Sequence, residues 1–121
     1  MKTQHIRHIF PVIIVSVFLA GCTSQIYYWG TYEDQLYAYL NGESRETQIQ
    51  ALEAELPKME DGTPNMKPNG KKVPPGFYAQ LGMLYSEIGD DYNAIACFEK
   101  EKALFPEAAT YMDYLLRRYG K

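Results

Sequence analysis

Histidine is almost missing from this chain. There are two, His5 and His8, both within the first eight residues. The body of the chain therefore has no imidazole for a Ser-His or Cys-His catalytic pair. Cysteine is as scarce, with only Cys22 and Cys97. That is too few for a zinc cluster or a disulfide framework. No glycine-rich phosphate loop occurs. Basic charge is short as well: 12 Lys and Arg stand against 15 Asp and Glu. This balance argues against a nucleic-acid surface. The acidic pairs Glu33-Asp34 and Asp90-Asp91 read as a solvated helix start and a helix cap. The absences together predict no enzyme, and no metal, cofactor or small-molecule substrate.

A long apolar run is also lacking. The stretch Ile9 to Ala20 falls short of the roughly 20 residues that cross a bilayer. Preceded by Lys2 and Arg7, it has the layout of a secretory signal peptide over residues 1–21. It closes on Leu19-Ala20-Gly21-Cys22, which resembles the bacterial lipobox. The residue types suit that chemistry. A thiol is the side-chain nucleophile for thioether formation with a diacylglyceryl group, and Ala20 and Gly21 are small enough for a peptidase cleft. The resemblance implies removal of residues 1–21 and lipidation of Cys22. Several acyl chains on one residue give firm membrane attachment. What remains is about 100 residues, one domain at most. It is more acidic still and has no histidine. Thr23 follows Cys22, where lipoproteins kept in the inner membrane commonly carry Asp. By the same resemblance, this points to the outer membrane.

Residues 22–30 read as a lipidated tether ending in Tyr27-Tyr28-Trp29-Gly30, and residues 31–121 as a helical domain. Tyr32, Leu36, Tyr39 and Leu40 recur at helical spacing. Asn41-Gly42 stops that helix, and Ser44 is placed to cap the next, which carries Ile49, Leu52 and Leu56 towards Pro57. A first helical hairpin is expected over about 31–58. Residues 61–76 are rich in Pro, Gly and Asn and hold Lys67, Lys71 and Lys72. They read as a loop, either a solvated connector or a basic contact arm. Pro75 suits the first turn of a helix running to about Ile88. Gly89-Asp90-Asp91 recaps the chain, a second helix runs from about Tyr92 to Leu104, and Pro106 opens a trailing one through Tyr119. No strand is expected. The fold class is all-α, built of antiparallel helical hairpins with a trailing C-terminal helix.

Within the second hairpin, Tyr78, Leu81, Gly82, Tyr85, Ala94, Phe98 and Pro106 resemble the tetratricopeptide repeat in type and offset. Gly82 and Ala94 let two helices approach closely, and Tyr78, Leu81, Tyr85 and Phe98 fill the space around them. Glu101 stands where the repeat usually has a small residue. It is expected to pair with Lys100, Arg117 or Arg118, or to face a partner. The first hairpin resembles the repeat less, and fewer than three repeats are marginal alone. The aromatic segment before Tyr32 is therefore a candidate to fold back onto the core. Cys97, beside Phe98, reads as a buried inert thiol, with an intermolecular disulfide as the alternative.

The whole chain also resembles a family of short bacterial lipoproteins that carry a domain of unknown function. The likeness rests on Tyr28-Trp29-Gly30 with Tyr32, on Pro74-Pro75-Gly76, on Phe98-Glu99-Lys100-Glu101-Lys102 and on Phe105-Pro106-Glu107. Members are often encoded beside a CsgG-like outer-membrane lipoprotein, which implies a shared envelope complex. The repeat resemblance implies a protein-binding wall of Ala79, Met83, Ser86 and Glu87, with Glu101 of added interest. That wall holds neither Lys nor Asn, which speaks against a carboxylate clamp. Met83 suits an adaptable apolar contact. The protein's own first hairpin could equally fill the wall. The expected function is an outer-membrane lipoprotein serving as an assembly module, with an activator of a cell-wall synthase as the alternative.

Overall fold

The computed structural model describes residues 25–59 and 71–120. The signal peptide, Cys22 and the stretch 61–70 of the expected loop lie outside the described residues. Five α-helices follow in order: α1 (Tyr32–Leu40), α2 (Arg45–Glu53), α3 (Phe77–Glu87), α4 (Asp91–Leu104) and α5 (Ala109–Leu116). Short 3-10 turns at Leu56–Lys58, Pro106–Ala108 and Arg117–Tyr119 extend the helical course. No strand occurs among the described residues. Neighbouring helices pack in chain order, α1 on α2, α2 on α3, α3 on α4 and α4 on α5. The all-α hairpin architecture expected from periodicity is thus the observed one. None of the described helices is long and apolar enough to cross a membrane.

The boundaries follow local chemistry. α3 starts at Phe77, two residues after Pro75, because Gly76 takes a left-handed φ of 89° that a side chain resists. α4 is capped by Asp90, whose Oδ1 accepts the Asn93 backbone N–H at 3.1 Å. Ser44 departs from expectation: its hydroxyl donates to Glu46 at 2.7 Å and makes no cap to the backbone. Pro106 ends α4 through a 3-10 turn before α5 begins.

The core runs along the second hairpin. Phe77, Leu84 and Ala94 have no exposed surface, and Phe98, Leu81, Met112 and Leu116 are 2% exposed. Burying each large apolar side chain contributes about 1.5–3 kcal/mol. α3 and α4 approach closely at Gly82. A Cβ there would meet Phe98 Cε1 at 2.7 Å and Cys97 Cβ at 3.1 Å. The glycine is a packing requirement.

The first hairpin turns differently from its expected face. Tyr32 and Ala38 are the buried residues of α1, while Leu36 and Leu40 are 36% and 78% exposed. The helical spacing was correct, but half of the expected core face points to solvent. The aromatic segment before α1 compensates. Trp29 stacks on Tyr32 at 6.0 Å, and Tyr32 meets Phe77 at 5.6 Å. Residues 26–28 pair with the chain before α3: Tyr28 N–H donates to Lys72 O at 2.8 Å, and Lys72 N–H to Ile26 O at 3.0 Å. Val73 and Pro74 are buried. The end of the expected 61–76 loop is therefore part of the packed body.

Candidate functional site

Met83, Ser86 and Glu87 lie three and four residues apart on α3, which sets them on one side of the helix. They line a cleft of about 130 Å³ together with Phe98 from α4, Leu115 from α5, and Arg118 and Tyr119 from the turn beyond it. Three of the four expected wall residues thus meet. Ala79 does not join them. It packs against the core, and its backbone N–H is directed at Glu101.

Two of the wall residues are already engaged. Ser86 Oγ accepts the Tyr119 hydroxyl at 2.7 Å. Glu87 accepts the Tyr39 hydroxyl at 2.6 Å and Arg45 Nε at 2.5 Å. The Tyr39 bond is the largest influence holding Glu87 below the usual carboxylate value; burial opposes it and Arg45 adds to it. Arg45 also lies 4.4 Å over the Tyr39 ring. The first hairpin therefore takes up the Glu87 end of the wall, and Met83 remains facing the cleft. The wall itself carries no cation, as its sequence indicated. The turn after α5 brings one in Arg118. Phe98, Leu115, Arg118 and Tyr119 were not expected in the site. The spacing of Leu115, Arg118 and Tyr119 puts them on one helical face, but spacing alone does not say which helix that face covers.

Glu101 corrects the expectation attached to it. It presents no surface to a partner, being 2% exposed, and its carboxylate is taken up by backbone N–H groups. Its Oε1 accepts the Gly76 N–H at 2.6 Å, and its Oε2 accepts those of Tyr78 and Ala79 at 3.1 and 3.3 Å. These donors open α3, where the helix itself supplies no acceptor. Glu101 is a cap delivered from another helix. Burial pushes its carboxyl above the usual value, and the three N–H bonds work against that rise. A second interior carboxylate, Glu55, is 5% exposed. It is bonded to Lys58 at 3.0 Å and to Thr31 at 3.3 Å. Burial would raise its pKa, but Lys58, Tyr28 and Thr31 together hold it low.

Cys97 is free and buried. Burial pushes its thiol up to about 12, with Glu53 and Asp90 adding to the rise. A thiol held there is almost wholly protonated at neutral pH and is a poor nucleophile.

Two further surfaces stand open. Leu36, Tyr37 and Leu40 rise beside Glu33 on α1. On α5, Tyr111 and Tyr114 stack at 6.3 Å, and Arg117 lies 5.4 Å over the Tyr114 ring. Among the described residues, no group of three or more His, Cys, Asp or Glu is placed to hold a metal ion.

Residues 26–115 match a family described as a domain of unknown function, DUF4810. The chain belongs to the DUF4810 family. No curated protein and no solved structure matches it. The DUF4810 match opens at Ile26, where the pairing with Lys72 begins, and closes at Leu115 in the cleft. It takes in Met83, Ser86, Glu87, Phe98 and Glu101, while Arg118 and Tyr119 lie just beyond it.

Proposed function

We propose that this DUF4810 protein is a lipid-anchored interaction module of the outer membrane, with Cys22 as the anchor and the α3–α5 cleft as a docking surface. The observation that carries the reading is the cleft itself. Three helices and the turn after α5 converge on it, apolar residues make up much of its lining, and Met83 is half-buried at its side. A flexible thioether at such a position adapts to the shape of an incoming segment. The lipobox-like Leu19-Ala20-Gly21-Cys22 supports membrane attachment. The repeat-like spacing from Tyr78 to Pro106 supports a binding role, because paired helices of that kind commonly present one wall to a partner. The partner suggested by resemblance is a CsgG-like envelope lipoprotein.

The test is crosslinking in living cells with a photoreactive residue in place of Met83, followed by mass spectrometry. The expected product joins this chain to one envelope protein. Products confined to the chain itself, joined to residues 27–40, would sink the reading and make the wall plain core. Metabolic labelling with a palmitate analogue checks the anchor separately, and Cys22→Ala is expected to abolish the label.

A further inference from the structure

The cleft beside Met83 holds one charge with no counter-charge among the described residues. Its carboxylate, Glu87, is bound by Arg45 at 2.5 Å. Its guanidinium, Arg118, has no acidic partner among the described residues. Arg117, next to it, rests on the Tyr114 ring at 5.4 Å and likewise has no acidic partner among them. Tyr114, Leu115, Arg117 and Arg118 line a second depression of about 540 Å³. The two hollows share Leu115 and Arg118, so they form one continuous surface.

Cations after a helix offset the partial negative charge of its C-terminal carbonyls. That role needs only nearness to the helix end. It does not require Arg118 to line a cleft floored by Met83, Phe98 and Leu115. Arg117 and Arg118 are adjacent and exposed, which makes this face locally positive in a chain of formal net charge −3. An arginine fork matches a carboxylate with two parallel hydrogen bonds, and an apolar hollow of about 130 Å³ has room for one aliphatic side chain.

We propose that this surface takes an acidic segment of a partner protein. One aliphatic side chain seats against Met83, Phe98 and Leu115. A neighbouring carboxylate, from Asp, Glu or a chain terminus, binds Arg118, and Arg117 beside Tyr114 receives a second. This rests on the interaction-module reading and names the chemistry of the partner.

The experiment places a photoreactive phenylalanine analogue at Tyr114 in the full chain in living cells and identifies the crosslinked segment by mass spectrometry. The expected segment carries an aliphatic residue within two positions of a carboxylate. Arg118→Gln is expected to lower the crosslink yield roughly tenfold, the size of one lost charge-assisted hydrogen bond. Arg118→Lys keeps the charge without the fork and is expected to fall between. Circular dichroism and the thermal midpoint of both variants confirm that the fold is kept. A protein product whose segment lacks acidic groups, or a yield indifferent to Arg118→Gln, overturns the acidic-segment inference and leaves the interaction module standing. A lipid or a glycan as the product overturns the inference as well. No intermolecular product from either Tyr114 or Met83 overturns both.

Discussion

Removing the Glu101 carboxylate tests whether a side chain on α4 holds the start of α3. In Glu101→Ala three backbone donors lose their acceptor, those of Gly76, Tyr78 and Ala79. A buried donor left unpaired costs about 1–3 kcal/mol. Tyr78 is the deeply buried residue of the three, while Gly76 and Ala79 keep some access to water. One full penalty and two partial ones, less the relief of no longer burying a charge, come to about 3 kcal/mol. For a domain of this size that lowers the midpoint of melting by roughly 12–20 °C. Glu101→Gln separates charge from shape. Its amide oxygen can still serve one side of the cap, but its NH2 must face a donor on the other. The amide is also cheaper to bury than the carboxylate, whose pKa burial already raises. The expected loss for Gln is about 1–2 kcal/mol. Urea denaturation at pH 7, followed by far-ultraviolet circular dichroism, gives both numbers. The reasoning is refuted if Glu101→Ala is as stable as the parent, or if Gln costs more than Ala.

Two further perturbations bear on the packing. Gly82→Ala would gain about 1 kcal/mol as an isolated helix substitution, yet its Cβ falls 2.7 Å from the rigid, buried Phe98 ring. Overpacking of this kind costs about 1–3 kcal/mol, so the variant is expected to be less stable on urea denaturation. A stabilised Gly82→Ala would mean that the α3–α4 contact is looser than described. Glu87 bears on pH. The Tyr39 hydroxyl and Arg45 hold its folded pKa below the unfolded one, so the folded state binds the proton less readily. Its contribution is present above the unfolded value of about 4.5 and is lost as pH falls through the lower folded value. Because the pair is partly exposed, the loss stays under about 1 kcal/mol. Stability measured at pH 7 and pH 3.5 should fall less in Glu87→Gln than in the parent.

Local features of the fold were legible in the sequence, and distant ones were not. The order of helices followed from periodicity and from Pro and Gly at the breaks. The close approach at Gly82 followed from two small residues, Gly82 and Ala94, set among large ones. Spacing on α1 identified Leu36 and Leu40 as one face. It also put Tyr32 there, which is buried, but it could not say that Ala38 would join Tyr32 in the core while Leu36 and Leu40 face solvent, because that depends on where α2 and the Trp29 segment pack. Glu101 looked like a misplaced polar residue. Its partners are backbone amides 22 to 25 residues away, and backbone amides leave no mark in a sequence. The cleft was half visible. Met83, Ser86 and Glu87 belong to one helix, whereas Leu115, Arg118 and Tyr119 arrive through the fold-back of α5. Cys97 was legible because a small apolar residue beside Phe98 on an inward face is buried in almost any arrangement.

The segment before α1 has a spectroscopic consequence. Trp29 is the single tryptophan of the chain, and it stacks on Tyr32 with an interplanar angle of 22°. Its fluorescence therefore reports first on the seam between the N-terminal segment and α1, and reaches the start of α3 through the Tyr32–Phe77 contact. Far-ultraviolet dichroism has the opposite weighting, because most of the helical residues lie elsewhere. Recording both probes on one sample shows, without any label, whether that seam and the helices melt together as one cooperative unit.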